Sequence, residues 1–210
     1  MAAIPNHIPP SELDYAALFE AGVSDYFRNF GHRQARERPH QAWLLMSVAK
    51  HIPPPHVIAE LQVSRRDLRP FADLEDKDSA VNFDFAISRS EIDLRQWRTQ
   101  LKGSRSDRVN KPQTQKTLEE IAVLAELKMG DSTEYKKISD DFQKLAGAMG
   151  YLLDNNYTRF PTCYFILFDP HRRINIDRVN EFSRTSWPQE VPPPKILIGP
   201  EPSTMGQPNS

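Results

Sequence analysis

The chain has 210 residues, 39% apolar and 26% charged, a length and composition that suit one globular domain with a real core. A net charge of −1 excludes a global electrostatic field for nucleic acid, so any basic surface must be local, and the single Cys163 excludes an internal disulfide or a multi-cysteine zinc site. No apolar run approaches the length of a membrane span and the N-terminus lacks the pattern of a signal peptide, so the expectation is a soluble, cytoplasmic protein with no membrane partner.

Residues 1–10 are a proline-containing lead. "SELDYAALFEAGVSDYFRNF" predicts a helix capped by Ser11, with Leu18, Val23, Tyr26 and Phe27 as its apolar stripe and a weak point at Gly22. "PHQAWLLMSVAKHI" predicts a second helix, with Pro39 at its start and three prolines closing it. "HVIAELQV" alternates, placing Val57, Ala59, Leu61 and Val63 on one face of a strand. After an arginine-bearing turn and an acidic loop, "VNFDFAIS" predicts a second strand, with Phe83, Phe85 and Ile87 opposite Asn82, Asp84 and Ala86.

Residues 89–117 form an insert. Its first part, "SEIDLRQWRTQL", has the spacing of a short amphipathic helix with Trp97 packed beneath it. Between Arg89 and Lys116 there are eight Lys or Arg against three Asp or Glu, so the insert is locally basic. A third strand follows at Ile121–Met129. A long helix then carries Ile138, Phe142, Leu145, Met149 and Leu152 on one face, and "TCYFILFDP" has the unbroken apolar run of a strand covered on both sides. A small helix, "INIDRVNEFSR", and a strand, "KILIG", complete the chain; the expected domain is 11–187, with a proline-rich, mostly mobile segment at 188–210. Three strands, a crossover helix and a core strand predict an α/β sandwich with a mixed central sheet flanked by helices.

The third strand, "IAVLAELKM", places Glu126 and Lys128 together on one face, opposite Val123, Ala125, Leu127 and Met129. A lone acid and lysine on a strand are most often a surface ion pair. Asp84 on the preceding strand changes that, because one antiparallel register puts it beside Glu126. Two carboxylates without thiolate or imidazole suit a hard cation, Mg2+ or Mn2+, with the Leu127 carbonyl as a third ligand. A lysine one strand step away can orient or deprotonate a water and stabilise charge building on a phosphate. The six histidines show no metal-ligand spacing, and Cys163 has the setting of a small core filler.

The strand bearing Asp84, the "ELK" of Glu126, Leu127 and Lys128, the crossover helix opened by "SDDFQKL" and the apolar strand after it resemble the PD-(D/E)xK, or restriction-endonuclease-like, nuclease superfamily. Its core of helix, three strands, helix and strand matches about residues 12–169. Phe83 stands where the motif's name has proline, and no QxxxY pattern follows the "ELK" strand, since Gly147 occupies that offset from Gln143. The resemblance implies metal binding by Asp84 and Glu126 and a catalytic role for Lys128. It also implies a glutamate from the first helix, for which Glu20 is the first candidate and Glu12 the second.

The implied activity is that of a Mg2+-dependent phosphodiesterase, a deoxyribonuclease, with DNA as the expected partner. Arg95, Arg98, Lys102, Arg105, Arg108 and Lys111 of the insert would contact backbone phosphates; a solvated loop is the competing reading of the same run. A homodimer or a partner subunit is compatible with double-strand cutting. The rival function is a nuclease-fold protein that no longer cuts and serves as a nucleic-acid-binding or assembly subunit.

Overall fold

The structure, a computed structural model, describes residues 13–31, 33, 36–74, 80–91, 117–130, 135–171 and 173–200. In chain order these form helix α1 (Tyr15–Phe30), helix α2 (Glu37–Val48), strand β1 (Val57–Ser64), a single helical turn α3 (Arg65–Leu68), strands β2 (Ala80–Ser88) and β3 (Ile121–Met129), helix α4 (Tyr135–Asp154), strand β4 (Thr162–Phe168), helix α5 (Ile176–Thr185) and strand β5 (Lys195–Gly199). The strands lie side by side in sequence order in one open sheet. β1, β2 and β3 are antiparallel neighbours, while β3, β4 and β5 run parallel, so the α/β class and mixed sheet expected from the sequence are present.

Helices cover both faces. On one, Phe19, Val23 and Tyr26 of α1 and Leu44 and Val48 of α2 pack on Phe85, Val123, Leu127, Tyr164 and Ile166. On the other, Ile138, Phe142, Leu145, Met149 and Leu152 of α4 pack on Leu124, Phe165 and Leu167, with Val179 of α5 beside them. Each fully buried side chain of this size contributes about 1.5–3 kcal/mol, which is what fixes the two layers on the sheet. Asp14 caps α1 by accepting the Ala17 N–H at 3.0 Å, in the role expected of Ser11, which lies outside the described residues. Gly22 is the point where α1 meets α2, because a Cβ there would sit 2.7 Å from Val48 Cα. The expected weak spot is therefore a packing requirement.

The simple alternation expected for β1 and β2 fails once in each strand. Ile58 and Leu61, three residues apart, enter the same core, as do Phe83 and Ala86. Phe85 and Ile87 enter the opposite one. The ladder pairs Ala59 with Phe85 and Leu61 with Phe83 but skips Glu60 and Asp84. Glu60 has φ of 57°, a left-handed conformation that a regular strand does not use. One residue out of phase in each strand reverses the facing of everything after it. Hence neither Val57, Ala59, Leu61 and Val63 nor Phe83, Phe85 and Ile87 share a single face. β3 keeps its alternation, with Val123, Ala125, Leu127 and Met129 in one core as expected.

The proline-rich run expected to be mobile is packed as far as residue 200. Trp187 and Val191 are buried, and the Trp187 indole N–H donates to the carbonyls of Val191 and Pro192 at 3.1 and 3.0 Å. That anchoring delivers β5 to the edge of the sheet beside β4. The lead at 1–10, the tail beyond 200 and the insert helix with Trp97 lie outside the described residues. Among the described residues no helix is long and apolar enough to cross a membrane.

Candidate functional site

The sheet splits where β2 leaves β3. The last pair of their ladder is Phe85 with Ala125, yet β3 continues to Met129 against β4. Asp84 is the first residue of β2 beyond that ladder, at the step where β1 and β2 also lose their pairing. Its carboxylate reaches across the gap and accepts the Leu127 backbone N–H at 2.8 Å. Gln41 of α2 donates to its other oxygen at 2.9 Å, and the Asp84 and Glu126 carboxyls are close enough to influence each other's protonation.

Glu126 and Lys128 point from β3 toward α4. Lys128 Nζ lies 2.8 Å from Asp141 Oδ2 and 4.0 Å from Glu37 Oε2, at the start of α2. Lys144, one turn beyond Asp141, is 2.5 Å from Asp141 Oδ1 and 3.6 Å from Glu126 Oε1. Glu126 is 1% exposed and Asp141 3%, so both acids are inside the protein, while Lys128 and Lys144 are partly open to solvent. The cluster is thus built by four elements: Asp84 from β2, Glu126 and Lys128 from β3, Glu37 and Gln41 from α2, and Asp141 and Lys144 from α4.

Burial dominates the electrostatics. It pushes the Glu126 carboxyl well above the usual range, Asp141 and Asp84 push it further, and Lys144 and Lys128 oppose. Asp84 is raised by burial, with the Leu127 N–H pulling the other way. Burial also raises Glu37, against the pull of Lys128. For the lysines burial works against the charged form, but the carboxylates prevail. Asp141, with Glu37 and Glu126, raises Lys128, and Glu126 with Asp141 raises Lys144. Both ammonium groups are therefore held protonated at neutral pH.

The donor set fits a hard divalent cation. Among the described residues Glu126 Oε1 is buried without a hydrogen-bond partner, since Lys144 stands beyond bonding distance. Glu37, Asp84, Glu126 and Asp141 stand with Lys128 and Lys144, four acids to two lysines among the described residues. Among the described residues no group of three or more His, Cys, Asp or Glu side chains forms a ready-made metal site. Magnesium commonly takes only one or two carboxylates and keeps several waters. Leu127 directs its N–H toward Asp84, and a strand residue turns its carbonyl to the same side, so that oxygen also faces the gap.

Of the residues singled out in the sequence, Asp84, Glu126, Leu127 and Lys128 are brought together. Glu20 is not. It accepts from the Tyr164 hydroxyl and from Lys195 Nζ, both at 2.7 Å. These two bonds hold its pKa down, and it lines a separate cavity of about 650 Å³ between α1 and β5. The physical reason is reach: Glu20 lies over β4 and β5, and the acid brought to Lys128 from this side of the sheet is Glu37 of α2. Glu12, Arg95, Arg98, Lys102, Arg105, Arg108 and Lys111 lie outside the described residues. The insert's roots are described: Arg89 N–H donates to the Glu120 carbonyl at 2.7 Å, and Ser90 Oγ to Glu120 Oε2 at 2.7 Å. Arg89 is five residues along the chain from Asp84, about 17 Å at the rise of a strand.

Sequence reasoning missed Glu37, Gln41, Asp141 and Lys144. Asp141 carried a signal: it follows Ile138 by three residues and precedes Leu145 by four, which places an acid on the apolar face of α4. Lys144 follows Asp141 by three. Glu37 and Gln41 share a face of α2 by their four-residue spacing, but nothing in the sequence directs that face to Asp84. No family model, curated protein or solved structure matches this chain.

Proposed function

We propose that the protein is a divalent-metal-dependent nuclease with a restriction-endonuclease-like core, hydrolysing phosphodiester bonds in DNA at the cluster around Asp84, Glu126 and Lys128. The observation that carries this reading is the Asp84 carboxylate bridging to Leu127 N–H beside Glu126, with Lys128 on the same face of β3. A scaffold gains little from burying two interacting acids there, since each costs several kcal/mol without compensation.

In this reading Asp84, Glu126 and the Leu127 carbonyl hold Mg2+ or Mn2+. The bound ion supplies a Lewis acid for the phosphate and a water of lowered pKa. Gln41 and the Leu127 N–H fix the Asp84 carboxylate, so its orientation is set before anything binds. Lys128, kept protonated by its acidic neighbours, donates a hydrogen bond to the attacking water or the phosphate rather than removing a proton. Of the two roles the residue type allows, orientation and charge stabilisation are favoured over general base. Asp141 anchors the Lys128 ammonium at 2.8 Å. The basic insert, rooted about 17 Å from Asp84, would meet backbone phosphates several nucleotides from the bond cut, and each contact adds salt-dependent affinity.

The test is cleavage of plasmid, single-stranded DNA and RNA by the purified chain with Mg2+ or Mn2+, beside the Lys128→Ala variant. Metal-dependent cutting of DNA that the variant lacks supports the reading. Nucleic-acid binding without cutting in any metal assigns the protein to the non-cleaving rival instead.

A further inference from the structure

We propose that Lys144 is a built-in counter-cation, holding Glu126 in the metal-free protein and giving up that carboxylate when a divalent ion binds, so that this lysine sets the metal affinity of the site. The inference rests on the nuclease reading above and adds to it a residue outside the Asp84–Glu126–Lys128 constellation.

The geometry separates the two lysines. Lys128 is taken up by Asp141 and Glu37. Lys144 is the ammonium ion-paired with Glu126, yet its contacts are unequal: 2.5 Å to Asp141 Oδ1 and 3.6 Å to Glu126 Oε1. It therefore neutralises Glu126 through space while leaving Oε1 without a hydrogen bond. Asp141 supplies the tether, from one turn earlier on α4. The Lys144 side chain is 27% exposed, against 14% for Lys128, so it has the freer route toward solvent.

A fixed positive charge beside a carboxylate ligand opposes an incoming cation. At contact distances and the effective dielectric of a protein interior, one unit charge against a divalent ion is enough to change affinity by tenfold or more. The same charge supports the metal-free fold. Without it, Lys128 would be the remaining lysine beside Glu37, Asp84, Glu126 and Asp141 among the described residues. The lysine keeps its proton throughout; what changes is which cation Glu126 faces. Metal affinity is thereby exchanged for stability of the empty site.

The experiment uses the full chain with Lys144→Met, which keeps the apolar stem and removes the charge, and Lys144→Arg, which keeps the charge. Mn2+ affinity is measured by calorimetry, and Tm in chelator and in Mn2+, with Asp84→Asn as the control for site-specific binding. The expected result is Mn2+ binding about tenfold tighter in Lys144→Met, a lower Tm in chelator and a larger rise on adding Mn2+. Lys144→Arg should stay near the wild type. Equal or weaker binding by Lys144→Met, with the wild type binding normally, overturns this inference and leaves the nuclease reading standing. Absence of any wild-type Mn2+ binding that Asp84→Asn abolishes overturns both. If Lys144→Met does not fold, Lys144→Gln is judged by the same comparison.

Discussion

The Asp84 carboxylate accepts the Leu127 N–H at 2.8 Å across a gap where β2 and β3 are no longer paired, joining residues separated by 43 positions in the chain. A side chain here replaces a backbone ladder bond. It closes the sheet locally and, in the same act, aims a carboxylate at Glu126.

That double role predicts different outcomes for two substitutions. Asp84→Asn keeps an oxygen for the Leu127 N–H and turns its NH2 toward Gln41, whose amide can flip to accept it. It also removes a charge from beside Glu126, so the metal-free fold should stay near wild-type stability while metal binding and cleavage are lost. Asp84→Ala leaves the Leu127 N–H and the Gln41 amide without their acceptor and should cost about 1–3 kcal/mol. Denaturant unfolding in chelator, beside a cleavage assay, separates the two.

Stability should depend on pH in a direction set by the buried acids. Burial first, then neighbouring acids, raise Glu126, and burial raises Asp84. Above the ordinary carboxylate range the folded state therefore holds protons that the unfolded chain has released. Linkage makes the metal-free protein lose stability as pH climbs through that interval, with the contribution fully present below it. A divalent cation competes with those protons, so the rise in Tm on adding Mn2+ should grow over the same interval. Melting curves from about pH 5 to about pH 8, with chelator or Mn2+, check the sign; a metal-induced rise that shrinks with pH would contradict it.

Asp141 should act through Lys128. Asp141→Asn keeps the shape but loosens the 2.8 Å anchor, and turnover at saturating metal should fall about 10–100-fold with little change in KM. Single-turnover kinetics at several substrate concentrations would distinguish this from loss of substrate binding.

The two helical glutamates should part company. Glu37→Ala removes the acid beside Lys128 and should reduce cleavage. Glu20→Ala breaks an exposed pair with Lys195 and a hydrogen bond from the Tyr164 hydroxyl, so it should cost about 1–2 kcal/mol of stability and leave cleavage intact. Cleavage rates of the two variants measured side by side would expose the error if the order were reversed.

What the sequence made legible was local. Helical spacing gave the α4 stripe from Ile138 to Leu152, and alternation gave the two faces of β3 with Glu126 and Lys128 together. It misjudged β1 and β2 because Glu60 and Asp84 step out of phase, and a left-handed φ at Glu60 has no signature in a residue that normally avoids it. That same break frees Asp84 from the ladder, so the feature that defeated the pattern also builds the site. Glu37 and Gln41 were invisible for a different reason: their arrival at Asp84 is set by how α2 lies on the sheet, through contacts such as Val48 against Gly22, and not by their own neighbours in sequence.

The most direct measurement is a metal series on plasmid DNA with the wild type and Lys128→Ala. The account predicts cutting in Mg2+ or Mn2+, none in chelator, and a loss of about 100-fold or more in the variant, with its fold and DNA binding retained. Metal-dependent cutting that survives unchanged in Lys128→Ala, or a wild type that binds DNA and cuts in no metal, would contradict it.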